Sequence, residues 1–117
     1  MSLLSHHSNE DRPWGSFETF TVNEPSTVKI LRVSANMRFS LQKHEHRSEW
    51  WRVIEGSGIA QVGEEERTIT VGDTIEIPVG SLHRLTGGEN GIAVLEISFG
   101  TFDENDIIRT EDDFGRV

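Results

Sequence analysis

The chain has 117 residues, of which 34% are hydrophobic and 11 are glycine, so it has room for one compact domain with a small core and not for two. The absence of cysteine excludes disulfides, a thiolate nucleophile and every metal site with cysteine ligands. Eleven Lys and Arg against twenty Asp and Glu give a net charge of −9, which disfavours nucleic acid and anionic membranes as partners. No apolar run is long enough to span a bilayer and the first residues do not form a secretory signal, so we expect a cytoplasmic protein.

The pattern along most of the chain is typical of short β-strands. Residues 1–11 are polar and without period, so we predict a flexible tail there and a single domain over residues 12–117. Further on, β-branched and aromatic segments alternate with Gly, Pro, Asn and Asp at the close spacing of an all-β sandwich or barrel. In chain order, the predicted strands cover 16–22, 28–33, 39–46, 49–54, 58–62, 66–71, 74–78, 83–86 and 92–99.

Glycine-rich segments at 56–58 and 87–91 predict turns between these strands. Short loops imply an antiparallel arrangement of the strands. A sheet of this many short strands loses its exposed edges only if it closes into a jelly roll or a small barrel. Residues 103–113 carry six acids and one arginine, and we predict a solvated extension anchored by Ile107 and Ile108.

Three histidines of the predicted domain, with one glutamate, have the spacing of a metal site. His44 and His46 stand two residues apart on a predicted strand, so both side chains should project from one face. Glu49 follows closely, and His83 begins a distant strand. If these four side chains converge, they suit a first-row divalent metal such as Zn, Co, Mn, Fe or Ni, with positions left open for substrate. Spacing alone is equally compatible with ordinary surface or core histidines.

The residues around them resemble the two motifs of the cupin superfamily. The first motif is His44-x-His46, Glu49 and Gly56, and the second is Gly72, Pro78-x-Gly80 and His83. In cupins the three histidines and the glutamate of these motifs ligate a metal inside a small barrel. The resemblance therefore implies an all-β, cupin-type double-stranded β-helix with His44, His46, Glu49 and His83 as the metal ligands.

Four segments are similar, more narrowly, to the type II mannose-6-phosphate isomerases: RPWGSFE (12–18), SLQKHEHRSEWW (40–51), IPVGSLHRL (77–85) and DIIRTEDDFGR (106–116). In that family the domain often forms the C-terminal part of a bifunctional enzyme that begins with a mannose-1-phosphate guanylyltransferase. Because the resemblance does not include that larger domain, we do not expect guanylyltransferase activity. It implies a metal-dependent isomerase that interconverts mannose 6-phosphate and fructose 6-phosphate, with a sugar phosphate as its small-molecule partner.

Three positions depart from the pattern of the family. Gly87 replaces an Asn in a turn of the second motif, and 33–36 replaces a Pro-Gly turn, which Asn36 would preserve because Asn tolerates a left-handed backbone. Trp50 stands where a histidine is usual. Loss of an imidazole near the metal would change substrate fit or remove a group that transfers protons.

An aldose–ketose isomerase needs a base that is not occupied with the metal. Glu96 is our candidate because it lies in an apolar strand, where an unpaired charge is costly. Both faces of that strand are apolar, so parity does not show whether Glu96 points inward. Gln42 shares the predicted face of His44 and would bond the substrate or support a ligand. For the substrate phosphate, the best-placed cations are Arg47, Arg84 and Arg116.

Two other classes stay open. One is a non-catalytic cupin that binds a sugar or a nucleotide sugar. The other is a metal-dependent oxygenase, for which an apolar pocket without an arginine cluster is expected. In each case we predict a homodimer, because Phe39 and Leu41 should face out of the barrel and need covering.

Overall fold

A computed structural model describes residues 3–117, and their regular structure is all β. The nine strands are β1 (Ser8–Arg12), β2 (Gly15–Thr19), β3 (Thr27–Val33), β4 (Leu41–Lys43), β5 (Arg47–Val62), β6 (Glu65–Thr70), β7 (Thr74–Ile77), β8 (His83–Gly100) and β9 (Ile108–Glu111). The β1–β2 hairpin forms its own sheet, and the other seven strands form an antiparallel sheet in the order β6-β5-β8-β4-β9, with β3 on β8 and β7 on β5. Within residues 3–117 there is no helix with the length and apolar character needed to cross a membrane.

The strands β5 and β8 are long and bent, whereas the sequence predicted two shorter strands and a turn for each. Their pairing register shifts between Val53 and Glu55 and again between Gly56 and Gly58. A Cβ on Gly58 would lie 2.1 Å from the carbonyl oxygen of Thr86. Glycine is therefore needed here because two backbones approach closely at a bulge. As a result β5 pairs with β7 before the bend and with β6 after it.

Alternate residues of β5 enter two different apolar clusters. Trp51 and Val53 belong to the central core, in which Ile69, Ile75, Ile77, Leu85, Ile92 and Val94 are also buried. Trp50 belongs to a second cluster with Leu4 and Ile97. Neighbouring residues of a strand face opposite sides, so the two tryptophans are both buried but on different faces of the sheet.

The N-terminal residues are part of the fold, so the prediction of a flexible tail over 1–11 is wrong for residues 3–11. Leu4 is buried in the cluster of Trp50, and β1 pairs with β2 along its whole length. The imidazole of His7 also bonds the carboxylate of Glu18. Two adjacent leucines, Leu3 and Leu4, in a polar stretch carry no periodic signal, which is why the sequence did not reveal this packing. Met1 and Ser2 lie outside the described residues.

The C-terminal segment is also integrated into the sheet, where the sequence predicted a solvated extension. β9 pairs with β4, and the Thr110 hydroxyl donates to the carbonyl of Leu41 at 3.2 Å. Arg84 reinforces this edge by donating to the carboxylate of Glu111 at 3.1 Å.

The segment before β4 does not follow the predicted alternation. β4 begins only at Leu41, and Phe39 precedes it and packs edge-on against Trp51, with ring centroids 6.1 Å apart. Phe39 therefore does not face out of the barrel, as the homodimer prediction assumed, and the homodimer stays a prediction. Asn36 has a φ of 59°, which confirms the left-handed turn expected there.

Candidate metal centre

Three buried side chains converge inside the barrel. His44 directly follows β4, Glu49 lies in β5 and His83 begins β8, and one potential ligand atom from each lies within 4.8 Å of the others. Oε1 of Glu49 is 3.0 Å from Nε2 of His83 and 3.6 Å from Nε2 of His44. None of the three residues is more than 3% exposed.

Main-chain carbonyls fix both imidazole rings. Nδ1 of His44 donates to the carbonyl of Asp106 at 2.7 Å, and Nδ1 of His83 donates to the carbonyl of Ser81 at 2.9 Å. A carbonyl accepts only from a protonated nitrogen, so in both rings the proton is on Nδ1 and the lone pair is on Nε2. Nε2 of each ring lies near Oε1 of Glu49, and Nε2 of His44 also accepts from Nη2 of Arg47 at 3.3 Å. A main-chain carbonyl on Nδ1 is typical of the outer support of metal-bound histidines.

The donor set fits a first-row divalent metal. Nε2 of His83 and Oε1 of Glu49 are buried and have no hydrogen-bond partner, which is costly for polar atoms unless a further group satisfies them. Two imidazole nitrogens and a carboxylate oxygen are ligands shared by zinc, cobalt, iron, nickel and manganese sites. A cation among these atoms would satisfy both orphaned groups at once.

His46 is not brought to this group, and its side chain is exposed. The sequence predicted a strand over 39–46, but β4 ends at Lys43 and the chain bends at 45 and 46, so the alternation of faces does not extend from His44 to His46. It extends in the other direction, because Gln42 lines the same cavity as His44 and lies opposite His83 in the β4–β8 register. The pair of residues at i and i+2 that shares the inward face is therefore Gln42 and His44.

Glu96 faces the same cavity, which answers the question that strand parity left open. It is buried, and Nε1 of Trp51 donates to its Oε2 at 3.0 Å. Burial raises the pKa of Glu96, and its hydrogen bond with Glu49 raises that pKa further. Burial also opposes ionisation of Glu49, but its contacts with His83 and Glu96 outweigh burial and hold the pKa of Glu49 below its usual range. The pKa values of the two neighbouring carboxyl groups are thus shifted in opposite directions.

Two of the three arginines proposed for phosphate binding line this cavity. Arg47 is buried, donates from Nη1 to the carbonyl of Asp103 at 3.0 Å and places Nη2 3.3 Å from Nε2 of His44. Arg116 also lines the cavity, with its guanidinium on Asp112 at 2.7 Å. Arg84 does not, because its guanidinium donates to main-chain and side-chain oxygens that join β8 to the segment before β4 and to β9.

Two further cations of the cavity were not singled out from the sequence. Lys29 lies on β3 and bonds Glu104 at 2.8 Å, and Arg109 lies on β9 opposite Gln42. Arg109 would have been found if residues 108–111 had been recognised as a strand, because Gln42 was already an inward candidate. Lys29 gives no such signal, since it is one cation in an alternating strand.

Trp50 does not line the cavity. Its ring lies on the outer face of β5, 5.5 Å from the ring centroid of Phe20 and clustered with Leu4. The prediction that Trp50 replaces an imidazole near the metal is therefore wrong for this chain.

The fold is similar to that of the capsular polysaccharide assembling protein CapF from Staphylococcus aureus. The TM-score is 0.67 at 19% sequence identity, over 90% of this chain and 34% of the CapF chain. At this identity the likeness shows the fold alone, and it confirms the cupin-type jelly roll.

Curated relatives match nearly the whole chain. The xanthan biosynthesis protein XanB of Xanthomonas campestris pv. campestris is 35% identical over 118 residues, which is 99% of this chain and 25% of XanB. The alginate biosynthesis protein AlgA of Pseudomonas aeruginosa is 37% identical over 120 residues, which is 99% of this chain and 24% of AlgA. The chain thus spans about a quarter of the length of these relatives. The family model described as mannose-6-phosphate isomerase C-terminal matches residues 1–112, so the chain belongs to the family of mannose-6-phosphate isomerase C-terminal domains.

Proposed function

We propose that this chain is a metal-dependent isomerase that interconverts mannose 6-phosphate and fructose 6-phosphate. The observation that carries the proposal is one cavity, in a member of this family, that contains both an oriented His-Glu-His group and a separate buried carboxyl group. An aldose–ketose isomerase has to move a proton between adjacent carbons and stabilise the negative charge that develops on their oxygens. These two tasks match the two parts of the cavity.

The proposed metal ligands are His44, Glu49 and His83. Gln42 lines the same cavity, where its Oε1 accepts from the hydroxyl of Ser40 at 2.7 Å, and we assign it to the binding of the substrate. A bound divalent ion would supply Lewis acidity to the carbonyl and hydroxyl oxygens of the sugar.

Glu96 is the proposed base. The hydrogen bond from Trp51 holds its Oε2 in the cavity, where the carboxylate would accept a proton from one carbon and return it to the neighbouring carbon. Glu49 is unsuited to this task while it ligates a metal. Glu96 is the second inward carboxyl group, and its buried surroundings favour the protonated form that has to exist midway through the reaction.

The cations of the cavity support an anionic substrate. Nε of Arg47 and Nε of Arg109 are buried without a hydrogen-bond partner, and Lys29 and Arg116 also line the cavity. Arginine donors of this kind bind phosphate oxygens well, and unsatisfied buried donors favour a ligand that accepts from them. The oxygenase alternative called for an apolar pocket without arginines, and this lining counts against it. The cavity of about 210 Å³ also favours a small substrate.

The test is an isomerase assay on chelator-treated protein, with Zn, Co, Mn, Fe, Ni and Mg restored one at a time and conversion of mannose 6-phosphate followed. We expect turnover with at least one ion, its loss in Glu49→Gln and its retention in Glu64→Gln, which removes an exposed carboxylate from the β5–β6 connection. Uptake of one metal ion per chain without turnover by any ion would overturn the isomerase proposal and favour the non-catalytic sugar-binding cupin.

A further inference from the structure

Asp106 makes three hydrogen bonds to the short bend that carries His44. Its main-chain carbonyl accepts from Nδ1 of His44 at 2.7 Å. Its two carboxylate oxygens accept from the main-chain amides of Glu45 and His46, each at 3.0 Å. All three bonds cross between segments about sixty residues apart in the sequence.

The bend has no strand partner for these two amides. Residues 44–46 lie between β4 and β5, so the main-chain amides of the exposed residues Glu45 and His46 find their acceptor outside the sheet. The carboxylate of Asp106 is that acceptor, and one side chain satisfies two consecutive amides. The bend is thereby held against the C-terminal segment at the point where the carbonyl of Asp106 meets the imidazole.

The C-terminal segment is itself fixed by contacts that do not involve His44. β9 pairs with β4, and both oxygens of the Asp113 carboxylate accept from the Arg38 guanidinium, at 2.8 and 2.9 Å. Asp106 therefore holds the imidazole of His44 in a fixed position relative to the anchored C-terminal segment, with Nε2 of the ring 3.6 Å from Oε1 of Glu49.

We propose that Asp106 is a positioning residue: its carboxylate fixes the bend so that its carbonyl orients the ring of His44 toward the metal. The proposal rests on the metal site of the proposed function. Outer partners of metal-bound histidines typically change metal affinity by about 10–100-fold when they are lost. In Asp106→Asn the carbonyl remains, but the amide group offers only one acceptor oxygen to the two amides of the bend. Metal affinity should fall although no ligand atom is removed.

The experiment measures the dissociation constant for Co²⁺ on the full chain by competition with a chromophoric chelator. We expect Asp106→Asn to bind Co²⁺ about 10–100-fold more weakly than the original protein. The matched control is Asp73→Asn, whose carboxylate accepts from the main-chain amide of Thr70 at 2.9 Å between β6 and β7, away from the cavity, and it should bind Co²⁺ with the original affinity. Equal affinity in Asp106→Asn would overturn this inference alone, whereas absence of Co²⁺ binding by the original protein would overturn the metal site and this inference together.

A second readout separates positioning from a general loss of structure. In metal-free protein, ¹⁵N spectra of the imidazoles should show the Nδ1-protonated form for both His44 and His83, since a carbonyl accepts from each. In Asp106→Asn the His44 signal should shift toward a mixture of tautomers while that of His83, held by Ser81, stays unchanged. If Asp106→Asn does not fold, Asp106→Ser is measured in the same way. An unchanged His44 signal in a folded variant would refute the positioning role.

Discussion

The buried His-Glu-His group lacks His46, which the cupin-like sequence motif includes among the proposed ligands, and paired alanine variants distinguish the two sets. His44→Ala removes a buried imidazole whose Nε2 lies 3.6 Å from Oε1 of Glu49. His46→Ala removes an exposed imidazole outside the group. We expect only the first substitution to weaken metal binding.

The expected size follows from the loss of one of three clustered ligands. Losing an outer partner already costs about 10–100-fold in metal affinity, so we expect about 100-fold or more for His44 itself. With metal at about 100 times the original dissociation constant, binding stabilises the folded chain by about 2.7 kcal/mol, and after a 100-fold loss of affinity by only about 0.4 kcal/mol. At roughly 4 °C per kcal/mol, addition of metal raises the melting temperature by about 11 °C in the original protein and by about 2 °C in His44→Ala.

Differential scanning calorimetry with and without added Zn²⁺ measures this difference, and chelator competition gives the affinities directly. His46→Ala should keep the full shift in melting temperature, because substitutions at exposed sites without special contacts change stability by no more than about 0.5 kcal/mol. If His46→Ala loses as much of the shift as His44→Ala, the bend at 44–46 is wrong and the four-residue set of the sequence motif is right.

Three further predictions use other parts of the molecule. Glu96→Gln should bind metal with unchanged affinity and lose turnover by about 100-fold or more, and full activity in this variant would remove Glu96 from the role of base. Gly58→Ala should lower the free energy of unfolding by about 1–3 kcal/mol, because its Cβ would lie 2.1 Å from the carbonyl oxygen of Thr86. Urea unfolding measures this loss, and an unchanged midpoint would contradict the close approach of β5 and β8. The hydrogen bond from Arg52 holds the pKa of Glu18 below the ordinary 4.5, so the stability from this pair is present above that pH and is lost as the pH falls through the lower pKa of the folded state. Between neutral and acid pH, the free energy of unfolding should therefore fall less in Arg52→Gln than in the original protein, as measured by urea unfolding at each pH. An equal fall in both proteins would contradict the pairing.

The all-β architecture could be predicted because its signals are local. Alternating β-branched segments and closely spaced glycines are properties of short windows, and most of the predicted strands overlap observed ones. The meaning of the glycines is not local. A turn and a bulge both need glycine, and Gly58 is a bulge residue only because the carbonyl of Thr86 comes from another strand.

The part of the site that could be predicted is the part that follows from the spacing of the motif residues along the sequence. His44, Glu49 and His83 match motif positions and do converge. His46 lies outside that group because the predicted strand does not continue through residues 44–46, where the carboxylate of Asp106 accepts from two main-chain amides. A bond between segments about sixty residues apart leaves no periodic trace in the sequence.

Position 50 shows how strand parity decides the consequence of a substitution. Glu49 and Trp51 face the cavity and the core, so the residue between them has to face the other side of β5. There Trp50 contacts the N-terminal segment through Leu4, Phe20 and His7. A histidine at this position would have the same outward direction and could not reach the metal group. The unusual Trp50 therefore bears on how the N-terminal segment packs, and it gives no support to the idea that this chain has lost its chemistry.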